Sequence, residues 1–262
     1  MKTQDSVIDE FNKILSINEK DNEGDIQSFL EENTDLIPEN LSALDYRIRN
    51  DIVLKKYQIC KDYICDFAHI STRSFLTSLV LIELKPTTKK IFTQDKGVKF
   101  SSDFNNALDQ IGLWKAYLDK HNNVLKEDIR TLIDSIYKWD LTFEYVLVYG
   151  RREEISSPEK IDLFNQKNEN GIKVITYDTL IRKYKENPRN YKHLMRKEQH
   201  GYELLSFQER FSALDDFTKD NLSFDAVVEK KLIESGLDIP RWKSGKRIPM
   251  YGTKALGVNY ED

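Results

Sequence analysis

Three charged residues stand among apolar ones in a pattern that could support metal-dependent chemistry. Glu83 and Lys85 follow a run of mainly aliphatic residues, 78–82, and Asp66 is a lone acid in the apolar stretch 63–68. Because side chains alternate along a strand, Glu83 and Lys85 should point the same way while their aliphatic neighbours line the other face. Burying two such charges costs several kcal/mol per ion unless something compensates them. A divalent metal ion and a phosphodiester would compensate both.

The residue types suit magnesium. This ion takes oxygen ligands in near-octahedral geometry, usually one or two carboxylates with waters and substrate phosphate. Asp66, Glu83 and the carbonyl oxygen of Leu84 could supply the protein ligands, and Lys85 could orient the attacking water or offset charge in the transition state. A structural Glu83–Lys85 pair at a sheet rim, with Asp66 in a turn, is equally consistent with the residues alone, because Glu-x-Lys arises often in a chain that is 32% charged.

The composition is that of a folded protein with no membrane segment. The 262 residues are 39% hydrophobic and 11% aromatic, which is typical of a globular chain. The net charge of −4 gives no general attraction for nucleic acid, although local basic grooves matter more than totals. Cys60 and Cys65 lack zinc-ligand spacing, so we expect reduced thiols. No apolar run approaches the roughly 20 residues of a membrane helix, and the acidic first residues lack a signal sequence. We therefore expect a cytoplasmic protein.

Hydrophobic periodicity predicts an α/β fold with mixed strands. The chain would divide into an N-terminal helix (1–24), a core (25–188) and a helical C-terminal extension with a basic tail (189–262). In the core, helices are predicted over 25–33, 103–121, 126–138, 157–167 and from 178, and strands over 49–60, 63–70, 78–85, 143–150 and 172–176, with residues 91 and 92 as a further addition to the sheet. In the extension, helices are predicted over 202–214 and 224–235.

Several segments, in order, resemble the PD-(D/E)xK nuclease superfamily and, more narrowly, the Shedu family of anti-phage defence nucleases. The central ones are Asp66-Phe67, then Leu81-Ile82-Glu83-Leu84-Lys85-Pro86, then Ala107-Leu108-Asp109-Gln110-Ile111. The others are Phe29-Leu30-Glu31-Glu32-Asn33, Val148-Tyr149-Gly150-Arg151 and Thr176-Tyr177-Asp178-Thr179-Leu180. Together these segments cover the predicted core.

The resemblance implies a restriction-endonuclease-like mixed sheet flanked by helices. It further implies an Mg²⁺-dependent (or Mn²⁺-dependent) deoxyribonuclease that cleaves or nicks DNA in anti-phage defence, as a homo-oligomer such as a dimer or tetramer. A rival hypothesis keeps the fold and replaces the enzyme with a non-catalytic nucleic-acid-binding or assembly module whose acids are structural. Binding of Mn²⁺ or Mg²⁺ that is lost on substitution of the acids would discriminate between the two.

The resemblance also assigns roles to single residues. Asp66 and Glu83 match the metal-binding acids, Lys85 the catalytic lysine, and Gln110 the active-site glutamine on the helix after the catalytic strands. An acid on the early helix often completes such sites, and both Glu23 and Glu31 are candidates. One departure is Cys65, which stands where the superfamily motif has proline.

Other residues could contact nucleic acid or have structural roles. Four basic segments could bind a phosphate backbone or simply be solvated: 89–90, 96–100, 151–152 and 241–246. The last interleaves Trp242 with basic residues, which suits base stacking or, alternatively, a disordered or oligomer-docking tail. His69 is expected to be a half-exposed structural histidine.

Overall fold

The computed structural model describes residues 2–17, 21–37, 47–73, 76–94, 97–133, 141–168, 171–186, 192–208, 211–246 and 248. Over these ranges the chain forms one eight-stranded mixed sheet with helices on both faces. The predicted α/β class is therefore confirmed at the level of a central mixed sheet flanked by helices. Among the described helices, none has the length of uninterrupted apolar sequence that a membrane-spanning helix requires.

The strands follow the predicted order through the core and then continue into the tail. They are β1 (Arg47–Cys60), β2 (Tyr63–Arg73), β3 (Leu76–Leu84), β4 (Leu141–Val148), β5 (Ile172–Ile175), β6 (His193–Glu198), β7 (Gly201–Ser206) and β8 (Leu222–Phe224). Their spatial order is β5-β4-β3-β2-β1-β6-β7-β8. The first three strands form an antiparallel meander, whereas β4 runs parallel to β3, β5 to β4, and β6 to β1.

Helices pack on both faces of the sheet. They are α1 (Gln4–Leu15), α2 (Glu23–Glu32), α3 (Ser102–Asp128), α4 (Arg130–Ile133), α5 (Pro158–Gln166), α6 (Tyr177–Glu186), α7 (Ala226–Glu234) and α8 (Ile239–Lys243). One face, which we call the α2 face, is covered by α1, α2 and α6; the α3 face is covered by the other helices. Alternation along β3 divides its side chains, with Val80 and Ile82 on the α2 face and Leu79 and Leu81 on the α3 face.

The long helix α3 begins and packs as its sequence predicts. The hydroxyl of Ser101 accepts a hydrogen bond from the backbone N–H of Phe104 at 3.1 Å, which caps the first turn. The buried stripe contains Phe104, Ala107, Ile111, Trp114 and Leu118. The helix continues past the predicted end at 121 through a kink at His121. The predicted helix over 126–138 is thus split between α3 and the short α4, and residues 134–140 lie outside the described ranges.

Two predicted elements are wrong. Phe92 forms an isolated bridge with Phe100 and does not extend the sheet. Within the range 202–214, which is predicted as a helix, residues 202–206 belong to β7 and residues 212–214 to a 3₁₀ turn, Ser212–Asp216, whereas residues 209 and 210 lie outside the described ranges. Tyr202 and Leu204 are buried while Glu203 between them is more exposed, which is the period of a strand.

The C-terminal extension is consequently only partly helical. Strand β6 pairs in parallel with β1, so one sheet runs across the predicted boundary at 188. The helix predicted over 224–235 is confirmed as α7. The indole N–H of Trp242 donates to the carbonyl of Phe217 at 3.2 Å, and the side chain is buried against Phe224. In this structure Trp242 is therefore a core residue and presents no face to a nucleic-acid base.

Candidate active site

Asp66 and Glu83 lie next to each other on neighbouring strands, β2 and β3. The antiparallel register of β2 and β3 ends with Phe67 opposite Ile82, and Asp66 and Glu83 are the next residues in that register. The backbone N–H of Leu84 donates to Oδ2 of Asp66 at 2.7 Å, which fastens the two strands at this point. Asp66 is 4% exposed and Glu83 5% exposed, so both predicted acids are buried side by side.

Lys85 and Gln110 both reach the carboxylate of Glu83. The ammonium group of Lys85 lies 2.7 Å from Oε1, and the side-chain amide of Gln110 on α3 donates to the same oxygen at 2.8 Å. The backbone of Lys85 is held on two sides: its N–H donates to the carbonyl of Val148, and its carbonyl accepts from the hydroxyl of Tyr177 at 2.8 Å. The structure thus brings all four predicted catalytic residues into one cluster.

The two early-helix acids differ sharply in their surroundings. Glu23 is in the first turn of α2, and its carboxylate interacts electrostatically with Lys85 and Asp66. Burial raises the pKa of Glu23; Lys85 opposes this rise and the negative charge of Asp66 adds to it. Glu31, at the other end of the helix, pairs with Lys55 at 2.6 Å instead. Glu23 is therefore the acid of α2 that faces the cluster.

A residue that the sequence interpretation missed positions Glu23. Asn22, the N-cap of α2, is fully buried, and its side chain exchanges hydrogen bonds with Thr87, two residues beyond Lys85. Its amide also donates to the carbonyl of Ile14 at the end of α1. These contacts hold the first turn of α2 against the end of β3. The available signal was an asparagine directly before an acidic helix start, which is typical of an N-cap.

Lys56 is the second missed member of the cluster. Its ammonium group lies 2.5 Å from Oδ1 of Asp66, and its side chain is 50% exposed. The backbone of Lys56 has a φ of 44°, in the left-handed region that residues other than glycine rarely adopt. A lysine between Lys55 and Tyr57 carries no distinctive sequence signal in so charged a chain, which is why the pattern did not single it out.

The charges in the cluster do not balance. Three carboxylates, on Glu23, Asp66 and Glu83, face two ammonium groups, on Lys56 and Lys85. Burial and the nearby Asp66 raise the pKa of Glu83 to about 7, against the opposing effects of Lys85 and Gln110. Burial lowers the pKa of Lys85, but the carboxylate of Glu83 outweighs this and leaves it raised. Additional positive charge would therefore stabilise the ionised acids.

The donor set fits a hard divalent cation that keeps several of its waters. Within the described ranges, no group of three or more His, Cys, Asp or Glu side chains is close enough to enclose a metal ion. Magnesium, however, is commonly held by one or two carboxylates, with waters and phosphate completing its shell. Asp66 and Glu83 are two such carboxylates, both buried at a strand end. Leu84, the third predicted ligand, contacts Asp66 through its N–H.

Arg151 forms a salt bridge with Asp178. Its guanidinium group donates to both carboxylate oxygens of Asp178, at 3.0 and 3.1 Å, and the backbone N–H of Arg152 donates to the same carboxylate at 2.7 Å. Gly150 has a φ of 65°, and a Cβ there would approach the side chains of Glu154 and Ile91 to 2.8 and 2.9 Å. The segments 148–151 and 176–180 thus join the end of β4 to the start of α6.

Several other predicted features have clear outcomes. His69 is buried, at 1% exposure, so the prediction of a half-exposed histidine is wrong. Cys60 and Cys65 are free thiols, as predicted.

The basic segments 89–90 and 96–100 lie in the connection between β3 and α3. Lys90 and Lys99 are exposed there, and residues 95 and 96 lie outside the described ranges.

The sheet and its buried acid–lysine cluster define an α/β domain with a charged site at the ends of its central strands. A family model described as "Shedu protein SduA, C-terminal" matches residues 20–181. That match spans more than half of the chain and includes every member of the cluster, from Glu23 to Gln110. The chain belongs to this family. No curated protein matches the chain.

Proposed function

We propose that this protein is a divalent-metal-dependent DNA endonuclease of the PD-(D/E)xK type that acts in anti-phage defence. Membership of the Shedu family supports the defence role and the nuclease class. The observation that carries the chemistry is the placement of Asp66 and Glu83 next to each other, buried, with the ammonium group of Lys85 2.7 Å from Glu83. The antiparallel meander β1–β3 with β4 parallel to β3 supports a restriction-endonuclease-like core.

The proposed cofactor is Mg²⁺ or Mn²⁺, held by the carboxylates of Asp66 and Glu83 and by the carbonyl oxygen of Leu84. When bound, such an ion supplies a Lewis acid for the phosphate and lowers the pKa of a water molecule. Gln110 holds Oε1 of Glu83 through its amide, and the N–H of Leu84 holds Oδ2 of Asp66. Each acid thus keeps one oxygen anchored by the protein, and the proposed metal ligands are the other two oxygens, Oε2 of Glu83 and Oδ1 of Asp66, the second of which is paired with Lys56 in this structure.

Lys85 is the residue placed to stabilise charge on the reacting phosphate. Its backbone is fixed by Val148 and Tyr177, and its side chain is only 16% exposed, so the ammonium group is held in position before substrate arrives. A preorganised cation at the point where negative charge develops lowers the barrier without reorganisation during the reaction. Glu23 adds a third carboxylate beside Lys85 and Asp66.

Cleavage of supercoiled, linear and single-stranded DNA in Mg²⁺ or Mn²⁺ tests the proposal. Asp66→Asn, Glu83→Gln and Lys85→Met should each reduce the cleavage rate by roughly a hundredfold or more, while the fold is retained. The matched control is Glu31→Gln, because Glu31 pairs with Lys55 away from the cluster. It should cleave like the wild type. Wild-type protein that cuts none of these substrates, or a Glu83→Gln variant as active as Glu31→Gln, contradicts the proposal.

A second candidate function is a non-catalytic nucleic-acid-binding or assembly module on the same fold. The observation that favours it is that both acids are already paired with lysines, Asp66 with Lys56 and Glu83 with Lys85. Calorimetric titration separates the two candidates. The nuclease binds Mn²⁺ and loses that binding in Asp66→Asn, whereas the module binds DNA with no dependence on the metal.

The family also supports a homo-oligomer, a dimer or tetramer, as the active form. Light scattering on the purified chain measures this directly. A mass near one chain at all concentrations contradicts the oligomer and leaves the proposed chemistry to be tested separately.

A further inference from the structure

Lys56 is the member of the cluster for which neither the sequence motif nor the family match supplies a role. We propose that Lys56 is a built-in counter-ion for Asp66 that competes with the divalent metal ion, so that Oδ1 of Asp66 binds either the ammonium group or the metal. This inference rests on the proposed function, because it concerns the affinity of the same site for its metal. It makes Lys56 a positioning residue that sets how readily the site is loaded.

The register of β1 and β2 places Lys56 opposite Asp66. The pairs Lys55–Phe67 and Tyr57–Cys65 flank these two residues with no register shift between them. Since Asp66 and Glu83 are the next residues after the pair Phe67–Ile82 in the register of β2 and β3, the three residues lie at one level across β1, β2 and β3. An ammonium group is therefore built into the sheet at the same level as the two acids.

The backbone at Lys56 is in a conformation that a lysine rarely adopts. Its φ of 44° occurs inside a strand whose flanking residues are regularly paired. A left-handed conformation at a residue other than glycine is unfavourable and persists where the surroundings impose it, often at functional sites. The contact formed at this position is the 2.5 Å ion pair with Asp66.

The two oxygens of Asp66 have different partners, and this makes the competition specific. Oδ2 accepts the N–H of Leu84 at 2.7 Å, so Oδ1 is the oxygen that remains for an incoming ligand. In this structure the ammonium group of Lys56 donates a hydrogen bond to Oδ1. A divalent cation bound to Oδ1 would face a like charge at close range in a buried site, where repulsion is strong. The metal and the ammonium group therefore exclude each other.

In the ion pair between Lys56 and Asp66, the ammonium group of Lys56 is the one that can move out of the site. Its side chain is 50% exposed, whereas that of Asp66 is 6% exposed and tied to β3. A long flexible stem lets a lysine carry its charge into solvent while its backbone stays in place. Lys85 differs, because its side chain is only 16% exposed and its backbone is fixed by Tyr177. Lys85 remains in the site when metal binds, and Lys56 moves out.

Calorimetric titration of Mn²⁺ into four variants tests this role without measuring catalysis. Lys56→Met removes the competing charge and should bind Mn²⁺ about tenfold more tightly than the wild type, or better. Lys56→Gly removes the charge and also relieves the left-handed backbone, so it should show the same gain even if Lys56→Met folds poorly. Lys56→Arg keeps the charge and should stay within about threefold of the wild type.

The matched control is Lys55→Met. Lys55 is the preceding residue on the same strand and pairs with Glu31 at 2.6 Å, so its loss changes the net charge equally without touching Asp66. Its Mn²⁺ affinity should equal that of the wild type. Two results would overturn the proposed role of Lys56 while leaving the metal site itself in place. One is an equal gain in Mn²⁺ affinity in Lys55→Met and Lys56→Met; the other is no gain in Mn²⁺ affinity in Lys56→Met and Lys56→Gly when the wild type binds Mn²⁺. Absence of Mn²⁺ binding in the wild type and in every Lys56 variant overturns the metal site itself, and this inference with it.

Discussion

Asn22 and Thr87 exchange two hydrogen bonds in the interior between α2 and the end of β3. The amide of Asn22 donates to the hydroxyl of Thr87 at 2.8 Å, and the backbone N–H of Thr87 donates to Oδ1 of Asn22 at 3.1 Å. The hydroxyl of Thr87 in turn donates to the carbonyl of Leu15. Because Glu23 follows Asn22 and Lys85 precedes Thr87 by two residues, this pair joins two sides of the candidate active site.

Asn22→Ala should therefore lower both stability and activity. It leaves the buried N–H of Thr87 without its acceptor, and we expect the free energy of unfolding to fall by about 2–4 kcal/mol in a urea titration. Asn33→Ala is the matched control, because Asn33 caps the other end of α2 with one half-buried hydrogen bond to Phe29. It should cost about 1 kcal/mol or less. Equal losses in the two variants would contradict the role of Asn22.

Two tyrosine hydroxyl groups differ in their hydrogen bonding and give a paired test. Tyr177→Phe removes the donor to the carbonyl of Lys85, so we expect a loss of about 1–3 kcal/mol in unfolding free energy and slower cleavage. The hydroxyl of Tyr145 is buried and has no hydrogen-bond partner among the described residues. Tyr145→Phe should therefore be neutral or slightly stabilising. A Tyr177→Phe variant as stable and active as Tyr145→Phe would show that the Lys85 carbonyl needs no anchor.

His193 should make the protein less stable in acid. Burial lowers the pKa of His193 from 6.5 to about 4, so the folded protein keeps this ring neutral. Below about pH 6.5 the unfolded chain binds a proton that the folded chain does not, and stability falls until about pH 4. The lowered pKa corresponds to about 3 kcal/mol over this interval.

The variant His193→Phe tests that dependence. Phenylalanine keeps an aromatic ring against Phe211, which lies edge-to-face with His193 at 5.0 Å, but has no proton to bind. Urea titrations at several pH values between 7.5 and 4 should show the difference in unfolding free energy, variant minus wild type, rising as the pH falls. A difference that does not change with pH would assign the acid sensitivity to other groups.

Trp242 should contribute to stability and not to base stacking. Trp242→Ala removes a buried side chain and its hydrogen bond to Phe217, so we expect a loss of about 3–5 kcal/mol in unfolding free energy. Val227→Ala, at a position 62% exposed on α7, should stay within about 0.5 kcal/mol of the wild type. Unchanged stability in Trp242→Ala with weakened binding of single-stranded DNA would restore the stacking interpretation.

Asp66, Glu83 and Lys85 could be singled out from the sequence because they are charged residues among apolar neighbours in predicted strands. Gln110 is predicted only through the resemblance to the nuclease family, since one amide on an amphipathic helix is more often a surface residue. The choice between Glu23 and Glu31 could not be made, since both are acids of α2 and periodicity does not say which end of a helix meets β3. That choice depends on Asn22, whose partner Thr87 is 65 residues away along the chain.

The features that were missed depend on pairing between distant segments. Lys56 belongs to the cluster because of the register of β1 and β2 and a left-handed backbone, neither of which a lysine in a charged stretch reveals. The sequence predicts a helix at β7 because the apolar residues of 202–214 fit the helical period of about 3.6 residues as well as the strand period of about two. Its strand conformation depends on pairing with β6, which itself pairs with β1, about 140 residues earlier in the chain.

The most direct test of the central claim is a crystal structure of the protein soaked in Mn²⁺, with the metal located by anomalous diffraction. We expect a peak about 2.0–2.5 Å from carboxylate oxygens of both Asp66 and Glu83, with the ammonium group of Lys56 displaced from Asp66 and that of Lys85 still in the site. A map with no peak between these two acids, and with both lysine–acid pairs intact at saturating Mn²⁺, would contradict the proposed metal site.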